Sequence, residues 1–127
     1  MKKVLFCLAI YCLGISTFYT QEIKSEFNKE VKKSQKLSYI LDFPENTKKA
    51  VPLIVFLHGS GERGVNLDQV KSHSPFTYKN LIKEEVAILA PQCPENQWWD
   101  TDAVFSLIKE IQNKYKIDAS RIYLTGL

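Results

Sequence analysis

The sequence predicts an α/β fold with an antiparallel first strand, then parallel strands and a crossover helix. Segments 51–58 and 86–90 are almost continuously apolar and rich in β-branched or aromatic residues, like strands covered on both faces. Segment 121–125 has the same character, and a helical apolar stripe precedes it. A buried strand, a helix and another buried strand predict a parallel crossover.

The composition indicates a globular protein with room for one domain at most. Of the 127 residues, 45% are apolar and 24% charged, which excludes disordered, collagen-like and multi-pass membrane chains. The formal charge is +3, and from Gln21 onward 15 Lys and Arg face 14 Asp and Glu. No basic excess points to a nucleic-acid partner.

Residues 1–20 have the layout of a secretory signal peptide. Two lysines precede an apolar run from Val4 to Ile15, shorter than the roughly 20 residues of a membrane span. We expect cleavage near Thr20, a secreted or periplasmic protein and no stable membrane anchor; an uncleaved anchor is the alternative. The mature chain, 21–127, then keeps Cys93 as its one cysteine, which excludes a disulfide framework.

The first predicted elements of the mature chain differ in clarity. Residues 22–33 fit a weak helix or an edge strand. In 37–43, apolar and other residues alternate with the period of a strand that has one buried face, and 44–49 form a turn. The strand 51–58 follows.

The predicted helix carries its apolar residues on one stripe, with Asp100 or Thr101 as the residue that caps its start. The stripe consists of Val104, Leu107, Ile108, Ile111 and Tyr115.

A glycine-rich loop, 59–64, follows the strand 51–58 and fits the pattern G-x-G-x-x-G. A dinucleotide site also needs a helix opened by these glycines, but 65–79 lacks a helical stripe and contains Pro75. The acidic residue that a dinucleotide site has at the end of the next strand is not at that position either. No Cys/His spacing predicts a metal site, so we expect neither cofactor nor metal.

The same glycines suit a different task. Hydrolysis through a serine nucleophile needs backbone N–H groups that meet the oxyanion of the tetrahedral intermediate. A turn of His58, Gly59, Ser60 and Gly61 can supply them, with the N–H of Ser60 or Gly61 as the donor. The alternative is a plain tight turn.

Three segments in order carry a family resemblance over about residues 37–127. They are 52–64 (PLIVFLHGSGERG), 90–94 (APQCP) with Trp98-Trp99-Asp100, and Asp118 with 121–127 (RIYLTGL). Together they resemble the secreted α/β-hydrolases of the polyhydroxybutyrate-depolymerase and feruloyl-esterase-like group, also described as phospholipase/carboxylesterase-like.

The resemblance implies an exported serine esterase that acts on small-molecule or polymer-linked carboxylic esters. Gly126 and Leu127 match the first two positions of the nucleophile elbow G-x-S-x-G. The nucleophile would be the residue after Leu127, and the acid and histidine follow it in this fold. The chain is thus expected to be a truncated N-terminal portion, inactive alone, with an uncovered apolar strand at 121–127.

Five further residues require an interpretation of their own. Trp98 and Trp99 can wall a substrate pocket or anchor their loop to the core. His58 is expected to shape the oxyanion loop, whereas His73 is expected to be solvated. Cys93 is interpreted as a buried small hydrophobe; with no nucleophile motif in the chain, no catalytic residue is assigned within it.

The competing functional hypothesis is a complete, small exported binding module that uses Trp98 and Trp99 as its contact surface. The nucleotide sequence after codon 127 separates the two hypotheses. A continuation that encodes Ser-x-Gly favours the hydrolase, and a stop codon without it favours the module.

Overall fold

The computed structural model describes residues 24–26 and 34–127, and its sheet has four strands in the order β1-β3-β2-β4. Residues 34–127 form one compact unit. The predicted signal peptide and most of the uncertain segment 22–33 lie outside the described residues, and 24–26 have no regular structure. No helix in the described part is long and apolar enough to cross a membrane.

The strands match the predicted segments. They are β1 (Tyr39–Asp42), β2 (Val51–Leu57), β3 (Ala87–Pro91) and β4 (Ile117–Gly126). β1 pairs antiparallel with β3, and β2 is parallel to both β3 and β4, which confirms an antiparallel start followed by parallel strands. Pro91 belongs to β3 rather than closing it, and β4 begins four residues earlier than predicted.

β2 lies at the centre of the sheet because both its faces are apolar. Leu53 and Val55 are fully buried on the face that packs against helix α1 (Thr101–Lys114). On the other face Phe56 packs with Val70, which belongs to a short 3-10 helix. Burial of such side chains contributes about 1.5–3 kcal/mol each.

The predicted apolar stripe of α1 is buried as far as Ile111, which is fully buried. Tyr115 lies just past the helix, and its ring is 5.1 Å from that of Phe43. Residues 65–79 contain only 3-10 helices, Leu67–Lys71 and the start of Pro75–Leu81, in agreement with the predicted absence of a helical stripe.

β4 corrects the expectation that its apolar residues are covered on both faces. Among the described strands it pairs only with β2, and Tyr123 and Leu124 are more than half exposed. These exposures agree instead with the expectation of an uncovered apolar strand at 121–127. The start of β4 is fixed by Arg121, whose guanidinium donates to Asp118 (Nε, 2.7 Å) and Glu84 (Nη1, 3.0 Å). Hydrogen bonds from Ser120 and Arg121 lower the pKa of Asp118 to about 2.

The start of α1 gives the first testable prediction. The carboxylate of Asp100 accepts from the backbone N–H of Ala103 at 3.1 Å, so Asp100 is the capping residue and Thr101 is the first helical residue. We expect Asp100→Ala to lower the free energy of unfolding by about 1 kcal/mol, because an N–H of the first turn loses its acceptor. Urea denaturation measures the change.

Two control variants accompany this substitution. Asp100→Ser keeps a capping oxygen and should retain most of the stability, and Thr101→Ala should be nearly neutral. A larger loss for Thr101→Ala than for Asp100→Ala would contradict the assignment.

Candidate functional site

The candidate site lies at the carboxyl ends of β2, β3 and β4, which meet at one edge of the sheet because the three strands are parallel. This edge is where α/β sheets place their ligands. β2 leads into His58 and Gly59, β3 into Gln92, and β4 into Leu127. The residues that the sequence singled out are therefore close in space.

His58 joins two of these loops. Its side chain is 1% exposed, and its Nε2 accepts from the backbone N–H of Cys93 at 3.0 Å. The proton must then reside on Nδ1, which donates to the carbonyl of Gly59 at 2.8 Å. Both ring nitrogens are thus occupied by backbone groups, so the ring orients the loop and has no free nitrogen for a general base.

Trp99 holds His58 from a third side. Its indole Nε1–H donates to the carbonyl of His58 at 3.3 Å, and the two rings meet edge to face with centroids 4.9 Å apart. Trp99 also packs against the core on the α1 side. These contacts are those of an anchor between the loop and the core.

Gln92 is a functional candidate that sequence reasoning missed. It is 2% exposed, and its amide Nε2 donates to the carbonyl of Glu62, at the end of the 3-10 turn Ser60–Glu62. Its Oε1 is buried and has no hydrogen-bond partner among the described residues. A polar residue directly after a fully buried strand was the available signal, since buried amides need partners.

The glycine-rich loop turns sharply after β2. Gly59 is extended, and the turn Ser60–Glu62 follows it. The first N–H groups of such a turn, on Ser60 and Gly61, have no acceptor inside it. Both residues are exposed. Gly64 needs its glycine because its φ is +140°, and its N–H donates to the carbonyl of Cys93 at 3.0 Å.

Gly126 and Leu127 lie against this loop. The N–H of Leu127 donates to the carbonyl of Leu57 at 3.2 Å, and the Leu127 Cβ is 3.7 Å from where a Cβ on Gly59 would be. A Cβ on Gly126 would lie 2.4 Å from the Leu57 carbonyl oxygen, so only glycine fits there. The end of β4 is therefore held directly beside the glycine-rich loop.

The remaining sequence-predicted residues fall into place around the site. Trp98 is 81% exposed, and the guanidinium carbon of Arg63 lies 4.4 Å from its ring centroid. Cys93 is fully buried, and burial raises the pKa of its thiol although Arg63 partly offsets this. His73 is exposed, as expected. In residues 24–26 and 34–127 no group of three His, Cys, Asp or Glu side chains could hold a metal ion.

Comparison with solved structures finds a crystal structure of a thermostable esterase that is similar to this chain. The TM-score is 0.64 and the sequence identity 32% over 72% of this chain, so the described residues have an esterase-like, partial α/β fold. The match covers 30% of the esterase chain. No family model and no curated protein matches the sequence.

The two histidines provide a matched test of the site. We expect His58→Ala to lower the free energy of unfolding by at least about 1–3 kcal/mol, because the buried N–H of Cys93 loses its acceptor. His73→Asn should change it by less than about 0.5 kcal/mol, since His73 is exposed and Asn tolerates its φ of +54°. Thermal or urea unfolding of both variants measures this difference, and equal losses would contradict the structural role of His58.

Proposed function

We propose that this chain is the N-terminal part of an exported serine carboxylic ester hydrolase and that it carries the enzyme's oxyanion loop at 58–61. The observation that carries the proposal is the contact between the end of β4 and the glycine-rich loop. The N–H of Leu127 donates to the carbonyl of Leu57, and the Leu127 side chain lies beside Gly59. A residue that follows Leu127 would therefore emerge next to Ser60 and Gly61, whose N–H groups have no acceptor inside the turn. A nucleophile and its oxyanion donors require this proximity.

The similar thermostable esterase supports the reaction class, and its chain is much longer than this one. In the proposed mechanism the serine after Leu127 attacks the ester carbonyl. The oxyanion that forms is stabilised by the N–H of Ser60 or Gly61 and by the N–H of the residue after the serine. The histidine and acid of the triad would follow later in the chain.

In the proposed enzyme, His58 and Gln92 hold the oxyanion loop in position. His58 and Gln92 bond to carbonyls on either side of the turn, at Gly59 and Glu62, and so fix the direction of its N–H groups. A fixed direction matters because donors that are already oriented need no reorganisation as the charge develops. Export through a signal peptide at 1–20 remains part of the proposal.

The proposal predicts that the 127-residue chain does not hydrolyse p-nitrophenyl acetate above the buffer rate, because the serine, acid and histidine of the proposed triad would all follow Leu127. The protein extended beyond Leu127 should hydrolyse it, and replacement of the serine after Leu127 by alanine should abolish turnover. Initial rates by absorbance measure both. Serine-dependent turnover by the 127-residue chain would contradict the proposal.

Two substitutions at Ser60 test its backbone N–H as the oxyanion donor separately from its side-chain hydroxyl. Ser60→Pro removes the backbone N–H but fits the turn, because Ser60 is its first residue and Gly59 before it is extended with φ −77° and ψ −174°. In the extended protein we expect kcat to fall by about 10²–10³. Ser60→Ala keeps the N–H and should leave kcat almost unchanged. An unchanged kcat for Ser60→Pro would exclude this N–H as the donor.

A further inference from the structure

Trp98 is a large aromatic side chain that does not pack in the core and has no role in the proposed mechanism. It is 81% exposed, whereas its neighbour Trp99 packs against the core. An exposed indole forgoes the stabilisation that burial of its large apolar surface would give. Trp and Arg are enriched among the residues that carry most of the binding energy at interfaces.

Two tied loops keep Trp98 in place beside the proposed oxyanion loop. Arg63 directly follows the turn Ser60–Glu62, and its guanidinium lies over the Trp98 ring at 4.4 Å. The next residue, Gly64, donates to the carbonyl of Cys93 in the loop that bears Trp98. That loop is fixed again at Trp99 by the hydrogen bond to His58. The loop that carries Arg63 and the loop that carries Trp98 are therefore both held in place by hydrogen bonds.

The position of Arg63 determines which partner the other face of the ring prefers. The guanidinium covers one face of Trp98, and the high exposure leaves the opposite face accessible to a ligand. A cation on one face draws the π electrons of the indole toward itself. The open face then carries less negative charge than that of an isolated indole, and it favours an electron-rich ring as a stacking partner.

A saturated ring is the competing ligand. A sugar or cyclohexane ring presents C–H groups, whose partial positive charge is attracted by the negative face of an aromatic ring. Arg63 weakens this attraction because its own charge is positive and lies behind the same indole. The charge arrangement thus favours an aromatic ligand over a saturated one of the same size.

We propose that the open face of Trp98, backed by Arg63, is a stacking site for an electron-rich aromatic ring. The site lies at the loop that follows β3, at the edge of the sheet where β2 and β4 also end. Only one part of the inference rests on the proposed function, namely that this ring belongs to the ester substrate. Ring binding itself does not require a nucleophile, so the 127-residue chain can be used to test it.

The experiment follows the indole N–H signals of the 127-residue chain by heteronuclear NMR during titration with three small probes. The probes are 4-methoxyphenol, the electron-poor 4-cyanophenol, and the saturated 4-methoxycyclohexanol, at a pH where both phenols are neutral. We expect 4-methoxyphenol to shift the Trp98 signal saturably with a Kd on the order of millimolar, as befits so small a ligand. The dissociation constant for 4-cyanophenol should be about threefold higher or more, and the saturated probe should cause no saturable shift.

Three variants assign the effect. Trp98→Leu should abolish the saturable shifts and identifies the Trp98 signal by its loss. Arg63→Gln removes the charge and should bring the ratio of the two phenol dissociation constants close to one, a change that a merely structural role would not produce. Phe105→Leu is the matched control, because Phe105 is also an exposed aromatic residue, at 60%, but lies on α1; it should leave all three titrations unchanged.

Two results would overturn the inference. One is the absence of saturable binding by 4-methoxyphenol in a chain whose spectrum is that of a folded protein. The other is binding of the saturated probe as tight as that of the phenols, which would indicate a sugar-type surface. Turnover by the extended protein without ring binding would remove only the stacking site, and ring binding without turnover would remove only the hydrolase.

Discussion

The imidazole of His58 is the contact on which the arrangement at the sheet edge depends. It is buried between the ends of β2 and β3, and it pairs an N–H of one loop with a carbonyl of the other. Without it, the buried N–H of Cys93 would have no acceptor, and the half-buried carbonyl of Gly59 would lose a donor. Trp99 and Gln92 add to the same junction by donating to the carbonyls of His58 and Glu62. The N–H groups of Ser60 and Gly61, at the start of the turn, have no acceptor inside it.

Elements whose character is set by their own residues could be predicted from the sequence. β2 and β3 are apolar on both faces, and the stripe of α1 has the helical period, so each of them was placed to within a residue or two. β4 shows the limit of this reasoning. Its apolar residues resemble those of a buried strand, but burial depends on neighbours, and in the described part of the chain its outer edge has none.

The candidate site could be predicted in position but not in its contacts. A glycine-rich loop after a buried strand indicated which backbone would line the edge, and the geometry places 58–61 and Leu127 together there. The bond from Gln92 to Glu62 and the stacking of Arg63 on Trp98 join residues about thirty or more positions apart. Such pairs follow from how two loops are packed, and no local pattern contains that information.

The order of the strands also has a consequence for how the chain reaches its fold. β2 pairs with β3 and β4, and the partner of Leu53 on β4 is Ile122, about seventy residues later. Pairing across such a separation is slow because a long loop must close before any contact forms. The apolar β2 therefore emerges from the ribosome well before its partners, and during that interval it is the segment most in need of protection from aggregation.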